Sequence, residues 1–365
     1  MKILYGVQGT GNGHLTRARS MARAFAYHGI QVDWVFSGRA RSDFFDMEAF
    51  GDFRLFKGVT LQTFKGKVNM TKTLLKSDLF QLSRDIRALD CQPYDLVISD
   101  FEPVSAWAAK RAGLRSLGIS HQSAFLYPIT KCANNIITDL FMRWFAPCDT
   151  PIGVHWNHFN QPLLPPILEP SNHPVSVTSG RILVYLPFAE LDDIVALLKP
   201  LTNVDFYIYH KLEQNLDHGH LHFRPFSRSG FQKILHSCEG VICSAGFELP
   251  SEAIKLGKKI LAEPVVGQME QQSNALALAQ LGYATIASPI NRDTIEAWLN
   301  LPIPGPTFYP DVSEAIVEWI INQDAQDLTT LSTKLWRQVT GQASSSQLIA
   351  NQYKTVNTDL ESQYQ

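Results

Sequence analysis

The chain has 365 residues, of which 45% are hydrophobic and 18% are charged, and these values are typical of a globular protein with about two domains. It has no apolar run near the roughly 18 residues that cross a membrane, no secretory pattern at its start, and five cysteines without C-x-x-C spacing, which predict reduced thiols in the cytoplasm and no zinc site. The net charge of −2 and the lack of a recognition motif argue against a nucleic-acid partner.

The first predicted element is an apolar strand over residues 2–7, followed by a glycine-rich loop and a helix over residues 15–28. The loop contains Gly9, Gly11, Gly13 and His14. Its spacing differs from the dinucleotide-binding fingerprint, which has its third glycine further along. The second predicted strand, residues 32–36, ends without the acidic residue that holds a nicotinamide ribose. The sequence therefore disfavours a dehydrogenase.

A basic stretch follows in the same half of the chain. Residues 1–150 hold 19 lysines and arginines against 13 acidic residues, whereas residues 151–365 hold 13 against 21. The basic residues that crowd together, interleaved with apolar ones, are Arg54, Lys57, Lys65, Lys67, Lys72 and Lys76. Such a surface predicts peripheral contact with anionic lipid headgroups. The alternative is an ordinary solvated helix and loop.

A second polar loop follows the predicted strand over residues 94–99. It contains Asp100 and Glu102, and a predicted helix over residues 104–112 comes after it. Both carboxylates should face the same cleft as His14, where either can accept a proton or orient the histidine. The alternatives are a helix N-cap at Asp100 and a metal-binding D-x-D motif. We discount the metal motif because the diphosphate site predicted below lies in the other half of the chain.

The prolines after residue 160 divide the chain. Five of them between residues 162 and 174 predict an extended linker. Strand–helix alternation on both sides predicts an α/β fold with two Rossmann-like domains. The predicted organisation is a first domain over residues 1–160, a proline-rich linker over 161–180, a second domain over 181–330, and a C-terminal helix and tail over 331–365 that packs back on the first domain.

The most informative stretch begins with a short apolar strand over residues 241–243 and a helix over residues 248–256. Between them lie the small residues Ser244, Ala245 and Gly246, which let a phosphate approach the backbone closely. The free N–H groups and the dipole of the helix's first turn favour a diphosphate there. Glu252, one turn further in, can accept hydrogen bonds from both ribose hydroxyls.

A second polar turn follows the next predicted strand, residues 260–262. Glu270, Gln271 and Asn274 stand where this turn enters another helix. Ligands of open α/β sheets bind at such loops, beyond the carboxyl ends of the strands. The two turns together predict a site for a nucleotide-sugar, whose sugar hydroxyls bind the acid–amide pair.

In chain order, this motif consists of Gly246, Glu252, Pro264, Glu270-Gln271 and Asn274-Ala275. It resembles the donor domain of GT-B glycosyltransferases, in particular the transferase that adds N-acetylglucosamine to lipid-linked muramyl-peptide and the UDP-glycosyltransferases. Residues 1–20 and 99–103 are similar to a prokaryotic subfamily related to the muramyl-pathway enzyme. The resemblance implies a GT-B fold, in which two Rossmann-like domains face each other across a cleft.

The resemblance also implies residue roles. In the donor site it places Ser244, Ala245 and Gly246 near the diphosphate, Glu252 on the ribose, Glu270 and Gln271 on sugar hydroxyls, and Phe226 at the base. It places the loop of Gly9, Gly11 and Gly13 in the cleft, which makes His14 a candidate general base, since an imidazole titrates near neutral pH; a capping or core histidine is the alternative. The chain departs from the muramyl-pathway enzyme at Pro187, which lacks the N–H that a phosphate loop offers.

We therefore expect a metal-independent, inverting glycosyltransferase without a cofactor. It would move a hexose-type sugar from a nucleotide-sugar, specifically a UDP-sugar, to a hydroxyl of a glycan or lipid-linked acceptor in cell-envelope synthesis. The expected location is the cytoplasm, at the inner face of the membrane. Two alternatives remain: a non-hydrolysing nucleotide-sugar epimerase, and a catalytically inactive nucleotide-sugar-binding protein.

Overall fold

A computed structural model describes residues 1–59, 63–64, 67–68, 78–132, 136–171, 173–322 and 327–341. The first half of the chain forms a parallel sheet of six strands, flanked by helices. Its strands, with the short antiparallel pair β4 and β5, are β1 (Lys2–Gln8), β2 (Gln31–Ser37), β3 (Arg54–Phe56), β4 (Thr63–Phe64), β5 (Lys67–Val68), β6 (Leu96–Asp100), β7 (Ser116–Ser120) and β8 (Thr150–Gly153). Its helices are α1 (Asn12–Tyr27), α2 (Leu79–Ala88), α3 (Pro103–Ala112) and α4 (Ile136–Phe145). The strand order is β3-β2-β1-β6-β7-β8.

The second half forms a sheet of seven strands, parallel except for one edge strand. Its strands are β9 (Arg181–Tyr185), β10 (Asp205–His210), β11 (Leu216–His218), β12 (Leu221–Pro225), β13 (Gly240–Ser244), β14 (Lys259–Glu263) and β15 (Thr285–Ile286), in the order β11-β12-β10-β9-β13-β14-β15. Its helices are α5 (Leu191–Leu198), α6 (Arg228–Ser237), α7 (Glu248–Lys255), α8 (Met269–Gln280) and α9 (Arg292–Leu299).

The last described elements return to the first half. They are α10 (Val312–Ile321), α11 (Leu328–Trp336) and the antiparallel pair β16 (Thr307–Phe308) and β17 (Thr340–Gly341). On α1, Arg23 pairs with Asp311, and Nε2 of His28 lies 2.5 Å from Oε1 of Glu314. The indole N–H of Trp336 on α11 donates to the carbonyl of Leu163 at 2.7 Å. The last described helices therefore pack against both α1 and the segment after β8.

The central strands are apolar because helices cover both faces of each sheet. In β1 every residue after Lys2 is buried, and Tyr5 stacks on Trp34 of β2 with 4.7 Å between ring centroids. The proline-rich segment is packed as well. Leu163, Leu164 and Ile167 are buried, because the chain here forms a bridge with Val154 beside β8. The side chains of Lys65, Lys67, Lys72 and Lys76 lie outside the described residues, so the membrane prediction there stays a prediction.

Helix α7 ends at a glycine that the backbone requires. Gly257 has φ +64°, and a Cβ added to it would lie 2.7 Å from the nitrogen of Pro306 and 2.8 Å from the carbonyl oxygen of Pro304. Gly29 ends α1 with nearly the same φ, +65°, but a Cβ there would meet nothing within 4 Å. The two positions thus share the conformational requirement and differ in steric crowding.

We predict that Gly29→Ala lowers the free energy of unfolding by about 1–2 kcal/mol, the cost of a left-handed alanine. Gly257→Ala adds a backbone clash worth about 1–3 kcal/mol more. Chemical denaturation of the two variants measures the difference. Equal losses in the two variants would contradict the role of the 304–306 contact.

Candidate active site

A cleft of about 1320 Å³ separates the two halves. The residues that line it follow the carboxyl ends of strands in both sheets, and include Gln8, Gly38, Phe101 and His121 from the first half and Tyr185, His210, Phe226 and Ser244 from the second. This is the edge at which open α/β sheets bind ligands. The two sheets therefore present their ligand-binding edges to one shared space.

The glycine-rich loop brings His14 into this cleft. Gly9 approaches the backbone of β2 closely, with its N–H donating to the carbonyl of Ser37 at 2.7 Å, and Gly11 is the N-cap of α1. A Cβ on Gly13 would lie 2.6 Å from Cγ of Glu248 in the second half. Gly13 is thus needed because a side chain of the other half rests on it. His14, in the first turn of α1, lines the cleft.

Asp100 lies directly behind His14. Its Oδ1 is 2.8 Å from Nδ1 of His14, and the side chain is fully buried. Burial opposes the ionisation of Asp100, but the charge of Arg17 and the hydrogen bonds from His14 and Arg17 outweigh it and lower the pKa of the carboxyl. An ionised carboxylate only accepts hydrogen bonds, so Nδ1 of His14 donates and Nε2 is the nitrogen that can take a proton. Asp100 can therefore orient His14 but, contrary to the prediction, it does not itself face the cleft, because its side chain is fully buried.

Glu102 does not face the cleft, contrary to the prediction. It is fully buried as the N-cap of α3, where its carboxylate accepts from the N–H groups of Val104 at 2.8 Å and Ser105 at 2.6 Å and from the hydroxyl of Ser37 at 2.7 Å. Burial raises its pKa, and these hydrogen bonds partly offset the rise. Pro103 at the first helical position was the available signal, since proline there marks the preceding residue as the cap.

Arg17 is the residue that the sequence analysis missed. It lies one turn after His14 on α1, and its side chain is only 2% exposed. Its Nε and Nη2 donate to the two oxygens of Asp100 at 2.7 and 2.8 Å, and its Nη1 pairs with Oε1 of Glu248 in the second half. Burial opposes the charge, but Asp100 and Glu248 outweigh it and raise the pKa of Arg17. One guanidinium thus joins the catalytic candidates to the donor motif.

The strand and the helix that flank Gly246 lie where the sequence predicted them. β13 ends at Ser244, and α7 starts at Glu248, with its first turn on the cleft. Ala245 is fully buried, so it contributes backbone only. A Cβ on Gly246 would meet nothing within 4 Å, which leaves open space beside the start of the helix. Ser244 and Gly246 line that space.

Glu252 lines the cleft one turn into α7. The amide of Gln232 donates to its Oε2 at 2.7 Å. Burial raises the pKa of Glu252 to about 7. Phe226, which is 41% exposed, lies on the same side of the cleft, with its ring centroid 6.0 Å from that of Tyr185.

The polar residues at the start of α8 hold the two halves together. Glu270 accepts from the amide of Gln122 at 3.0 Å, and Oδ1 of Asn274 lies 2.7 Å from Nε2 of His121. Gln271 lines the cleft, but its Oε1 already accepts from the N–H of Val265 at 3.0 Å. Glu270 and Asn274 therefore make contacts between the halves, and Gln271 makes one within the loop that precedes α8.

A possible ligand set for a metal lies elsewhere. Among the described residues, His28, Glu314 and Glu318 form the one group of three ligand-type side chains whose ligand atoms lie within 4.8 Å of one another. This group lies at the contact of α1 with α10, outside the cleft. In the described part of the chain, no helix has the length and apolar character needed to span a membrane.

Comparison with known proteins extends over nearly the whole chain. A family model for glycosyl transferase family 1 matches residues 1–302. The structure is similar to the glycosyltransferase SnogD from Streptomyces nogalater (TM-score 0.55, 14% identity, 96% of this chain and 99% of that chain). It is also similar to the spinosyn forosaminyltransferase SpnP (0.57, 14%, 92% and 98%) and to the spinosyn rhamnosyltransferase SpnG complexed with thymidine diphosphate (0.53, 15%, 96% and 100%). A search of curated proteins finds no match.

Two sheets that face each other across a cleft, and the likeness to these structures over at least 92% of the chain, define the GT-B fold. The match over residues 1–302 shows that the chain belongs to glycosyl transferase family 1, and the protein is a glycosyltransferase. The predictions of an α/β GT-B fold and of this enzyme class are confirmed.

We predict that Arg17→Met lowers the free energy of unfolding by about 3–5 kcal/mol, because it leaves Asp100 buried without its cation. Combining it with Asp100→Asn should cost less than the sum of the two single variants. Chemical denaturation measures both. Arg23→Met is the matched control, since the exposed pair of Arg23 with Asp311 is worth about 0–1 kcal/mol. Additive losses for Arg17 and Asp100 would contradict the coupling.

Proposed function

We propose that the protein transfers a sugar from a nucleotide-sugar to an acceptor hydroxyl, with His14 as the general base. The observation that carries this proposal is that the His14–Asp100 pair and the first turn of α7 line or adjoin the same cleft from opposite halves. A base on one side and an anion-binding helix end on the other are the two parts that displacement of a diphosphate needs.

In the proposed reaction, Nε2 of His14 accepts the proton of the acceptor hydroxyl. The oxygen attacks the anomeric carbon from the side opposite the diphosphate, a new C–O bond forms, and the bond to the diphosphate oxygen breaks. This in-line displacement inverts the anomeric centre. Asp100 keeps the imidazole in the required tautomer and stabilises the imidazolium that forms, as the acid does in other His–carboxylate pairs.

The donor lies, in this proposal, with its diphosphate at the start of α7. The N–H groups of the first turn and the helix dipole stabilise the charge of the leaving group, which is why we propose that no metal is required. Pro187 lines the cleft without offering an N–H, so α7 carries most of this role. Glu252 accepts from the ribose, Phe226 contacts the base, and the nucleotide is uridine diphosphate or, as in the SpnG structure, thymidine diphosphate.

The first-half side of the cleft contains an apolar group of residues. These are Phe45, Leu55, Phe101, Phe141, Met142 and Phe145. α4 supplies three of these residues, and Leu140 and Trp144 of the same helix are exposed beside them. We therefore propose a lipid-linked acceptor that the enzyme reaches from the cytoplasmic face of a membrane, because an apolar chain can pass from the bilayer surface along α4 into the cleft.

A thermal-shift panel of nucleoside diphosphates and their sugars tests the donor. We predict stabilisation by one nucleotide that survives EDTA, since the proposed site binds the diphosphate through N–H groups. A shift that EDTA abolishes would contradict metal independence. No shift with any of these ligands would contradict the donor site. Turnover of a donor without any acceptor would instead favour the epimerase.

Glu252→Gln tests the ribose contact. Loss of hydrogen bonds to a charged acceptor costs about 1.5–3 kcal/mol, so we predict nucleotide binding about 10- to 150-fold weaker. In the wild type, the pKa of about 7 predicts that affinity rises with pH up to this value, because the ionised carboxylate is the better acceptor. Isothermal titration measures both effects. Equal affinity in the variant and the wild type would exclude the ribose assignment.

His14→Ala tests the base. We predict that turnover falls about 10²- to 10⁴-fold, the usual contribution of general base catalysis, while donor affinity stays unchanged. Glu102→Gln is the contrasting variant, since Glu102 caps α3 and does not face the cleft: it should lower stability and leave turnover of the folded enzyme within a few-fold. A variant at His14 with full turnover would exclude its role.

A further inference from the structure

In the carboxyl group of Glu248, one oxygen has a hydrogen-bond partner and the other has none among the described residues. Oε1 pairs with Arg17, whereas Oε2 is buried and has no hydrogen-bond partner among the described residues. The side chain is 10% exposed and lines the cleft in the first turn of α7, next to the open space at Gly246. A buried polar atom without a hydrogen-bond partner lowers the stability of the folded protein. This oxygen is therefore a candidate for binding a ligand.

The charges around Glu248 disfavour its ionised form. Arg17 already makes two hydrogen bonds to Asp100. If Glu248 were also ionised, two buried negative charges would be balanced by one positive charge. The other charged groups that act on Glu248 are Asp100 at the end of β6, Glu252 on α7 and Glu270 on α8, and His14 on α1 contacts the same guanidinium. Acidic groups predominate. Burial, opposed by Arg17 and aided by the acids, raises the pKa of Glu248 to about 8.

In a neutral Glu248, both carboxyl oxygens can form hydrogen bonds. The carbonyl oxygen Oε1 accepts from Arg17, and the hydroxyl at Oε2 becomes a hydrogen-bond donor. This donor lies at the helix end where the proposed function places the diphosphate. An ionised carboxylate at the same position would instead repel the diphosphate across a poorly solvated space.

We propose that Glu248 binds the nucleotide-sugar as a neutral carboxylic acid, donating a hydrogen bond from Oε2 to an oxygen of the diphosphate. This role rests on the proposed function. Gly13 and Arg17 are then its positioning residues: Gly13 leaves room for the side chain, and Arg17 occupies Oε1 and so leaves Oε2 for the ligand. The same hydrogen bond would stabilise the diphosphate as it leaves.

The test measures the affinity of the wild type and of Glu248→Gln for a nucleotide-sugar by isothermal titration between pH 7.5 and 9.5. The probe is the nucleotide-sugar that gives the largest thermal shift, since its diphosphate diester does not titrate in this range. Wild-type affinity should fall about tenfold per pH unit above pH 8, as one required proton is lost. Glu248→Gln keeps a neutral donor and an acceptor for Arg17, so its affinity should stay flat and within a few-fold of the wild-type value at pH 7.5.

Two further variants complete the design. Glu248→Leu removes the hydrogen-bond donor and should bind at least tenfold more weakly at every pH. Glu318→Gln, on the exposed face of α10, should reproduce the wild-type profile. Each variant is first checked for an unchanged melting temperature without ligand, and Glu248→Gln carries the conclusion if Glu248→Leu fails to fold.

A wild-type affinity independent of pH, or an alkaline loss that persists in Glu248→Gln, would overturn the role of Glu248 alone. No binding of any nucleotide-sugar at any pH would overturn the proposed function and this role with it. The two failures are therefore distinguishable in one set of titrations.

Discussion

The rest of the site depends on one buried guanidinium. A charge as deeply buried as that of Arg17 is stable only with partners, and its partners come from both halves of the chain: Asp100 from the first and Glu248 from the second. This requirement fixes the start of α1 relative to the end of β6 and the start of α7. Because His14 shares Asp100 with Arg17, the orientation of the imidazole is set by the same contacts.

Further contacts between the halves involve α7. Beside Arg17 and Glu248, the indole N–H of Trp156 donates to the hydroxyl of Ser251 at 2.7 Å, and the imidazole of His121 stacks on Phe247 with 3.9 Å between ring centroids. Ser251 and Phe247 belong to α7 and its cap. The first half therefore contacts α7, which is the helix that we propose binds the diphosphate. A ligand at the start of α7 can thus change the relative position of the two halves.

Most helices and strands could be predicted because residues close together in the sequence determine them. Strands buried on both faces give apolar runs, and helices that end in a left-handed glycine show it in the sequence, as at Gly113 and Gly257. α7 was predicted over residues 248–256 and runs over Glu248–Lys255. Glu102 was misassigned because two carboxylates two residues apart look alike in a sequence, although only one caps the helix.

The contacts that could not be predicted join residues that lie far apart in the sequence. Arg17 and Glu248 are 231 positions apart, and no periodicity connects an arginine on one helix with a carboxylate on another across two sheets. The contacts of Glu270 with Gln122 and of Asn274 with His121 could not be predicted for the same reason, since a motif names the residues but not their protein partners. The roles of the donor residues and of the basic stretch remain predictions from the sequence.

The partnership of Arg17 with Glu248 also bears on how such proteins can diverge. A gene for a protein with two halves can recombine, so that one half is joined to the other half of a related protein. Here such a chimera would inherit a buried arginine without its acid, or an acid without its arginine, together with a loop whose glycine at position 13 has lost the side chain it accommodates. Exchange of halves should therefore give a folded protein only when both parent sequences carry this arginine and this glutamate. The pair thus limits which halves can be combined.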